Sequence, residues 1–253
     1  MKTLTKYLNE RLVVNKDYND PYTYVPTSFK ELRKIIEDRY KKLGPGTNDK
    51  PINFNDVDVR NIDSFNNVFN LFFGINMGIF EATKFEYIDI SDWDVSNVKN
   101  MNYVFKDCTR LKSVGDLSNW DVSNVKDMSS MFQYCIQLSS VDLSKWNVSK
   151  VEDMNSMFEE CCNLKSAGDI SKWNVSKVED MYSIFKSCKQ LKSIGDISKW
   201  NVSKVKYMSY MFYGCEQLKS IGDLSKWNVS KVKYMNNMFK ESGITNTPYW
   251  YEE

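Results

Sequence analysis

The chain has 253 residues, with 34 Lys and Arg against 33 Asp and Glu and a formal net charge of +1, so its bulk charge singles out no polyanionic partner. A hydrophobic content of 42% with 26% charged residues is that of a soluble globular chain long enough to bury a sizeable core. Histidine is absent, which excludes His-based catalytic triads, His general bases and His metal ligands together.

At the start, Met1 to Arg11 lacks the apolar stretch of a secretory signal, and no later segment reaches the roughly 18 apolar residues of a membrane helix. Leu4, Tyr7, Leu8 and Leu12 fall on one face of an amphipathic stretch, which reads either as a helix that docks a partner or as a segment folded back on its own body. Ser28 and Glu31 have capping-box spacing ahead of Leu32, Ile35, Ile36, Tyr40 and Leu43 at helical intervals, with Gly44 as the stop. Gly44 to Pro51 is a turn-rich joint. Residues 1–50 are therefore expected to form a helical cap and docking segment.

Internal repetition then takes over. Six tryptophans stand at 93, 120, 146, 173, 200 and 227, spaced by 27, 26, 27, 27 and 27 residues. Each opens the phrase WDVSNV or WNVSKV. Eight residues on stands Met101, Met128, Met154, Met181, Met208 or Met235, and twelve on stands Phe105, Phe132, Phe158, Phe185, Phe212 or Phe239. Fifteen on stands Cys108, Cys135, Cys161, Cys188 or Cys215, with Ser242 in the last unit, and eighteen on stands Leu111, Leu138, Leu164, Leu191 or Leu218. Val125, Met128, Met131, Phe132, Cys135 and Leu138 follow the stripe of a short helix with one buried face. Ser123 is its expected N-cap, and Ser149–Glu152 and Ser176–Glu179 have capping-box spacing. Leu191 to Ser198 favours a short strand near a Gly turn.

Such a unit cannot bury its stripe alone, so stacked neighbours are expected to bury it in common. The expected fold is an α/β repeat solenoid, a leucine-rich-repeat-like right-handed stack of short parallel strands and short helices with a helical N-terminal cap. Residues 51–88 form a degenerate capping repeat with an insertion. There Val57, Asp58, Val59, Asn61, Ile62, Phe65, Val68 and Phe69 keep the register without the Trp, and 70–88 is the insertion. Residues 89–242 hold six repeats, and 243–253, with Trp250, cover the last one.

The phrase Asp-Leu-Ser-x-Trp-Asp-Val-Ser-Asn-Val-x-x-Met-x-x-Met-Phe-x-x-Cys-x-x-Leu resembles the BspA-like leucine-rich repeat over residues 89–242. That resemblance implies kinship with mycoplasma lipoproteins, Bacteroidetes surface proteins and phage-encoded repeats. Without a signal or transmembrane segment, the expected location is the cytoplasm or a phage particle rather than a membrane anchor.

Several recurring polar rows invite chemistry. Asp89, Asp116, Asp142, Asp169, Asp196 and Asp223 align four residues before each Trp; they read as turn aspartates accepting local backbone hydrogen bonds, with a calcium ladder as the lesser alternative. The cysteine row reads as reduced core thiols, since Cys-x-x-Cys never occurs. The tryptophan row reads as core rather than as a stacking platform for sugars or bases.

The exposed feature is lysine. Lys145, Lys172, Lys199 and Lys226 precede the Trp, Lys150, Lys177, Lys204 and Lys231 follow by four, and Lys165, Lys192 and Lys219 by nineteen. Residues 201–240 carry seven Lys against two acidic side chains. This reads either as a solvated face or as a docking surface, with Lys199, Lys204, Lys206, Tyr207, Tyr210, Lys226, Lys231, Lys233 and Tyr234 as partner-binding candidates. No nucleophile–base pairing, phosphate-cradling loop or metal spacing is present, so neither catalysis nor a cofactor is expected. The expected function is a non-catalytic interaction module for a protein partner. A structural component of a phage particle is the alternative, with a surface adhesin or a nucleic-acid binder using the Lys rows as weaker ones.

Overall fold

The computed structural model describes residues 23–66, 68–69 and 85–252. The amphipathic segment containing Leu4, Tyr7, Leu8 and Leu12, and most of the 70–88 insertion, lie outside the described residues.

The first element among the described residues is α1 (Phe29–Leu43). The Ser28 side chain accepts from the Glu31 N–H, and the Glu31 carboxylate reaches back to the Thr27 N–H at 2.7 Å, so orphan donors at the helix start are satisfied from both directions. Gly44, at φ +75°, ends the helix and donates its N–H to the Tyr40 carbonyl. Leu32, Ile35 and Ile36 are buried, whereas Leu43 is 54% exposed. Tyr40 packs edge-on against Phe85, and Arg39 pairs with Asp56, which fixes the helix to the turns that follow it. β1 (Ile52–Asn53) and β2 (Ile88–Asp89) pair in parallel, Ile52 with Ile88, and make an open two-stranded sheet.

Beyond these, the α/β solenoid of short parallel strands and short helices is not formed, and that expectation is corrected here. Among the described residues there is one α-helix, this two-stranded sheet and a single 3-10 turn at Leu224–Lys226. The residues ten and fourteen places after every Trp, from Tyr103 and Asp107 to Asn237 and Glu241, hold φ between +53° and +69°. An α-helix needs φ near −60° at each position, so a left-handed residue every fourth place prevents one from propagating. Ser123 consequently caps no helix; its N–H is taken by Asp121 Oδ1 at 3.0 Å. The expected strands are interrupted in the same way, by Gly115, Gly168, Gly195 and Gly222 at φ +82° to +91°. Only isolated bridges survive there, such as Ser140–Ser166 and Ser166–Ser193.

What forms instead is a run of turns whose backbone donors alternate in direction. In the Trp120 unit, the N–H groups of Met128, Ser130, Phe132 and Tyr134 donate to carbonyls of Asp153, Asn155, Met157 and Glu159 in the next unit at 2.8–3.0 Å. Those between them, of Met131, Gln133 and Cys135, turn back three residues to Met128, Ser130 and Phe132 at 3.0–3.3 Å. With the Ser129 N–H on Asp127 Oδ1 at 2.9 Å, every donor from Met128 to Cys135 is satisfied without helix or continuous strand. The parallel bridges Ser64–Asn100, Asn100–Asp127, Asp127–Asp153, Asp153–Asp180, Asp180–Tyr207 and Tyr207–Tyr234 record the same register from one unit to the next.

The core lies inside these turns as columns of like residues. Phe69, Phe105, Phe132, Phe158, Phe185, Phe212 and Phe239 stack with ring centroids 5.1–6.0 Å apart. Burying one such ring contributes about 2–3 kcal/mol. Trp93 stacks on Trp120 and Trp120 on Trp146, near-parallel at 6.5 and 6.2 Å. Each indole N–H is satisfied by a carbonyl of the preceding unit, for example Trp146 Nε1 on Leu117 O at 2.9 Å and Trp173 Nε1 on Leu143 O at 3.0 Å. At the C-terminal end Trp250 stacks on Trp227 at 6.2 Å and donates to Leu224 O, while Tyr251 meets Phe239 edge-on.

Candidate protein-binding face

The polar rows sort into those that hold the turns and those that are left free. Asp116, Asp142, Asp169, Asp196 and Asp223 accept the N–H of the serine two residues on at 2.8–3.0 Å. Hydrogen bonds from those serines hold each carboxyl below the usual range. Asp121 and Asn147 close the next turn in the same fashion onto Ser123 and Ser149. Among the described residues no group of three or more Cys, Asp or Glu could hold a metal ion.

The cysteines are free thiols. The Sγ atoms of Cys135, Cys161, Cys188 and Cys215 lie 3.0–3.1 Å from the carbonyl of the Phe in the preceding unit. Burial drives these thiols up, Cys215 to about 12. Only Cys162, beside Glu160, is half-buried.

The candidate face belongs to the Trp200 and Trp227 units, and its residues stand on successive corners. Lys199 and Lys226 lie in the turns closed by the Trp200 and Trp227 N–H groups on Ile197 and Leu224. Lys204 and Lys231 lie in the turns Val202–Val205 and Val229–Val232. All four are exposed. Lys206 and Lys233 open the following run, each donating its N–H to the unit before, to Glu179 O and Lys206 O at 2.8 Å. The Lys206 ammonium pairs with the Glu179 carboxylate and is only half-exposed, so one candidate cation already has a partner within the chain.

Tyr207 and Tyr234 form the last bridge, and their rings stack 5.8 Å apart at 7°. Tyr210, at φ +60°, meets Tyr182 and Tyr213 edge-on at 5.8 Å each, with the Lys186 ammonium over its ring. The structure thus brings Lys206, Tyr207, Lys233 and Tyr234 onto adjoining rungs. It places Lys199, Lys204, Lys226 and Lys231 on neighbouring corners.

The same row reads differently earlier in the chain. Where Tyr207 and Tyr234 stand, the preceding units have Asp127, Asp153 and Asp180. Asp153 and Asp180 are half-buried, and desolvation, reinforced by the like charge one rung away, raises their carboxyls above the usual range. One row therefore passes from acidic to aromatic along the stack. Charge follows the same axis, since residues 51–98 hold eight acidic and two basic side chains whereas 199–240 hold eight Lys and two acids. Sequence reasoning missed Tyr182 and Lys186 as members of the cluster, because Tyr182 does not recur and Lys186 shares its place only with Lys106 and Lys240; the left-handed turns at Ser183 and Ser187 carry no glycine to announce them.

A family model described as "Mycoplasma protein of unknown function, DUF285" matches residues 46–167, 75–194 and 163–250. No curated protein matches the chain. Solved structures to which it is remotely similar include a leucine-rich repeat protein from Eubacterium ventriosum, 20% identical with a TM-score of 0.41, covering 62% of this chain and 44% of that one. A leucine-rich repeat protein from Bacteroides ovatus is 16% identical with a TM-score of 0.26, covering 76% of this chain and 60% of that one. A leucine rich cell surface protein from Faecalibacterium prausnitzii is 12% identical with a TM-score of 0.12. The chain spans less than two thirds of the first two. The likeness is to leucine-rich-repeat proteins in general rather than to the BspA-like repeat in particular. Among the described residues, no helix is long and apolar enough to cross a membrane.

Proposed function

The chain belongs to the DUF285 family, and from that premise we propose that it is a non-catalytic repeat protein that binds another protein through the basic, tyrosine-rich face of its last two units. The observation that carries this reading is the change of one structural row from Asp127, Asp153 and Asp180 to the stacked pair Tyr207 and Tyr234, flanked by Lys204, Lys206, Lys231 and Lys233. The recurring Trp, Phe, Cys and Asp side chains are consumed in holding turns and columns together. What remains to differ between units is the outer row, and there rigid tyrosines with nearby cations suit a protein contact.

The phrase-level resemblance to BspA-like repeats supports the same class of role. The test is capture from source lysate and from any particles it releases, comparing the wild type with a variant carrying Lys→Glu at 199, 204, 226 and 231. One stoichiometric partner lost in the variant is the expected result. Equal recovery by both would place the contact elsewhere. Partner capture only from particles would favour the phage-assembly role.

A further inference from the structure

Resting on that reading of the face, we infer that the C-terminal edge of the stack is an open rung that takes up an acidic segment of the partner, adding its backbone as one more turn.

Throughout the stack, four alternate N–H groups per unit donate forward. In the Trp200 unit Met208, Tyr210, Phe212 and Gly214 donate to the carbonyls of Tyr234, Asn236, Met238 and Lys240 at 2.8–3.1 Å. The equivalent donors one unit later are Met235, Asn237, Phe239 and Glu241, and among the described residues none has an acceptor. In every earlier unit the acceptors are alternate carbonyls of a run that repeats the same left-handed turns, so an added segment would take up that backbone path.

The side chains around that edge show the same missing layer. Val202, Val205 and Met208 are buried to within 1%, whereas their counterparts Val229, Val232 and Met235 are half-buried. Tyr234 is 58% exposed although Tyr207, one rung earlier, is covered by it. The C-terminal residues close the inner columns, through Trp250 on Trp227 and Tyr251 on Phe239, and leave the outer strip from Lys233 to Asn237 open.

Charge selects the occupant. Residues 225–240 contain Lys226, Lys231, Lys233 and Lys240 and no acidic side chain. Among the described residues none of these four has an ion pair, whereas Lys206 in the same row is paired with Glu179. Between units the stack itself sets carboxylates beside lysines at this row, as in Lys126 with Glu152 and Lys206 with Glu179. An acidic residue on the added segment would meet Lys233 in the same arrangement.

The test uses the full chain labelled with 15N and a blocked synthetic peptide of six Glu-Thr pairs, with six Lys-Thr pairs as the charge-reversed control. The expected result is movement of the Met235, Asn237, Phe239 and Glu241 amide resonances, at least tenfold slower hydrogen exchange at Met235 and Asn237 on saturation, and no response to the Lys-Thr peptide. A variant with Lys231→Glu, Lys233→Glu and Lys240→Glu should bind at least tenfold more weakly; Lys145→Glu with Lys172→Glu, on earlier units, should bind as the wild type does. Shifts confined to residues around Lys199, Lys204 and Tyr207 would overturn the open-rung inference while leaving the face as the contact. No shift anywhere would overturn it too. Joined with equal capture of partner by the charge-reversed variant, that outcome would overturn the broader reading as well.

Discussion

Gly168 offers a sharp test of how the units interlock. It holds φ +83°, and a Cβ added there would fall 2.3 Å from Asp142 Oδ1 and 3.2 Å from the backbone nitrogens of Leu143 and Ser144 in the preceding unit. Strain from an L side chain at this φ costs about 1 kcal/mol. The carboxylate must also leave, and it is not free to do so, because Asp142 Oδ1 accepts the Ser144 N–H at 3.0 Å. Losing that charge-assisted bond costs about 1.5 kcal/mol more. Gly168→Ala should therefore destabilise by about 2.5 kcal/mol or somewhat above. Gly44→Ala meets nothing within 4 Å of its Cβ position, so its cost is backbone strain alone, about 1–3 kcal/mol at φ +75° and ψ −151°. Asp142→Ala alone should cost about 1.5 kcal/mol, and in the double variant the hydrogen bond is lost only once. The double variant should fall short of additivity by about 1.5 kcal/mol in urea unfolding followed by tryptophan fluorescence. Strict additivity would refute the idea that the Asp turn of one unit fills the space above the glycine of the next.

Three further outcomes follow from the same geometry. In the folded protein a thiol reagent should modify Cys162 alone and slowly, the other five cysteines reacting only after unfolding; rapid titration of six native thiols would contradict their burial. Phe158→Ala, which removes a ring stacked on both faces at 5.3 and 5.4 Å, should cost about 4 kcal/mol and exceed Phe239→Ala at the end of the column, as read by urea unfolding. Burial raises the Asp153 carboxyl in the fold, so its contribution to stability is present at low pH and is lost as pH rises through that raised value. Asp153→Asn keeps an acceptor for the Asn155 N–H, as Asn100 already does for Asn102. The variant should therefore melt higher than the wild type at pH 7, with the advantage vanishing below the ordinary carboxylate range; a lower melting point at pH 7 would count against the assignment.

The unit length was legible because side-chain identity recurs, and Trp, Met, Phe, Cys and Leu recur in fixed register from Trp93 onward. The conformation within the unit was not. Apolar residues at Val125, Met128, Met131, Phe132, Cys135 and Leu138 fit a helix, but a run of turns closed three residues back places side chains on one side at nearly the same spacing. The distinction rests on left-handed residues at Ser130 and Tyr134, and neither residue type announces such a backbone. Gly214 alone, standing where the other units have Asp107, Tyr134, Glu160, Ser187 and Glu241, marks the position. At the site, the lysine rows and Tyr207, Tyr210 and Tyr234 could be read from the sequence. The open donors of Met235 and Asn237 could not, since a backbone N–H carries no signature in residue type.

The turns explain why recognition would sit where it does. In the Trp93, Trp120, Trp146 and Trp173 units two carbonyls each accept one donor from their own unit and one from the next. Leu143 O takes the Trp146 N–H of its own unit and the Trp173 indole N–H of the next, and Phe132 O takes the Cys135 N–H and the Cys161 thiol. A change at the Trp or Cys that supplies the second donor weakens the joint between two units, while the residue that supplies the first still holds the turn. These positions can vary little without loosening the stack. The side chains six and seven residues after each Trp supply neither of these second donors, and there Asp127, Asp153 and Asp180 give way to Tyr207 and Tyr234, and Glu152 and Glu179 to Lys206 and Lys233. Because each rung repeats the backbone of the one before, a change in those places alters charge and shape without altering the frame.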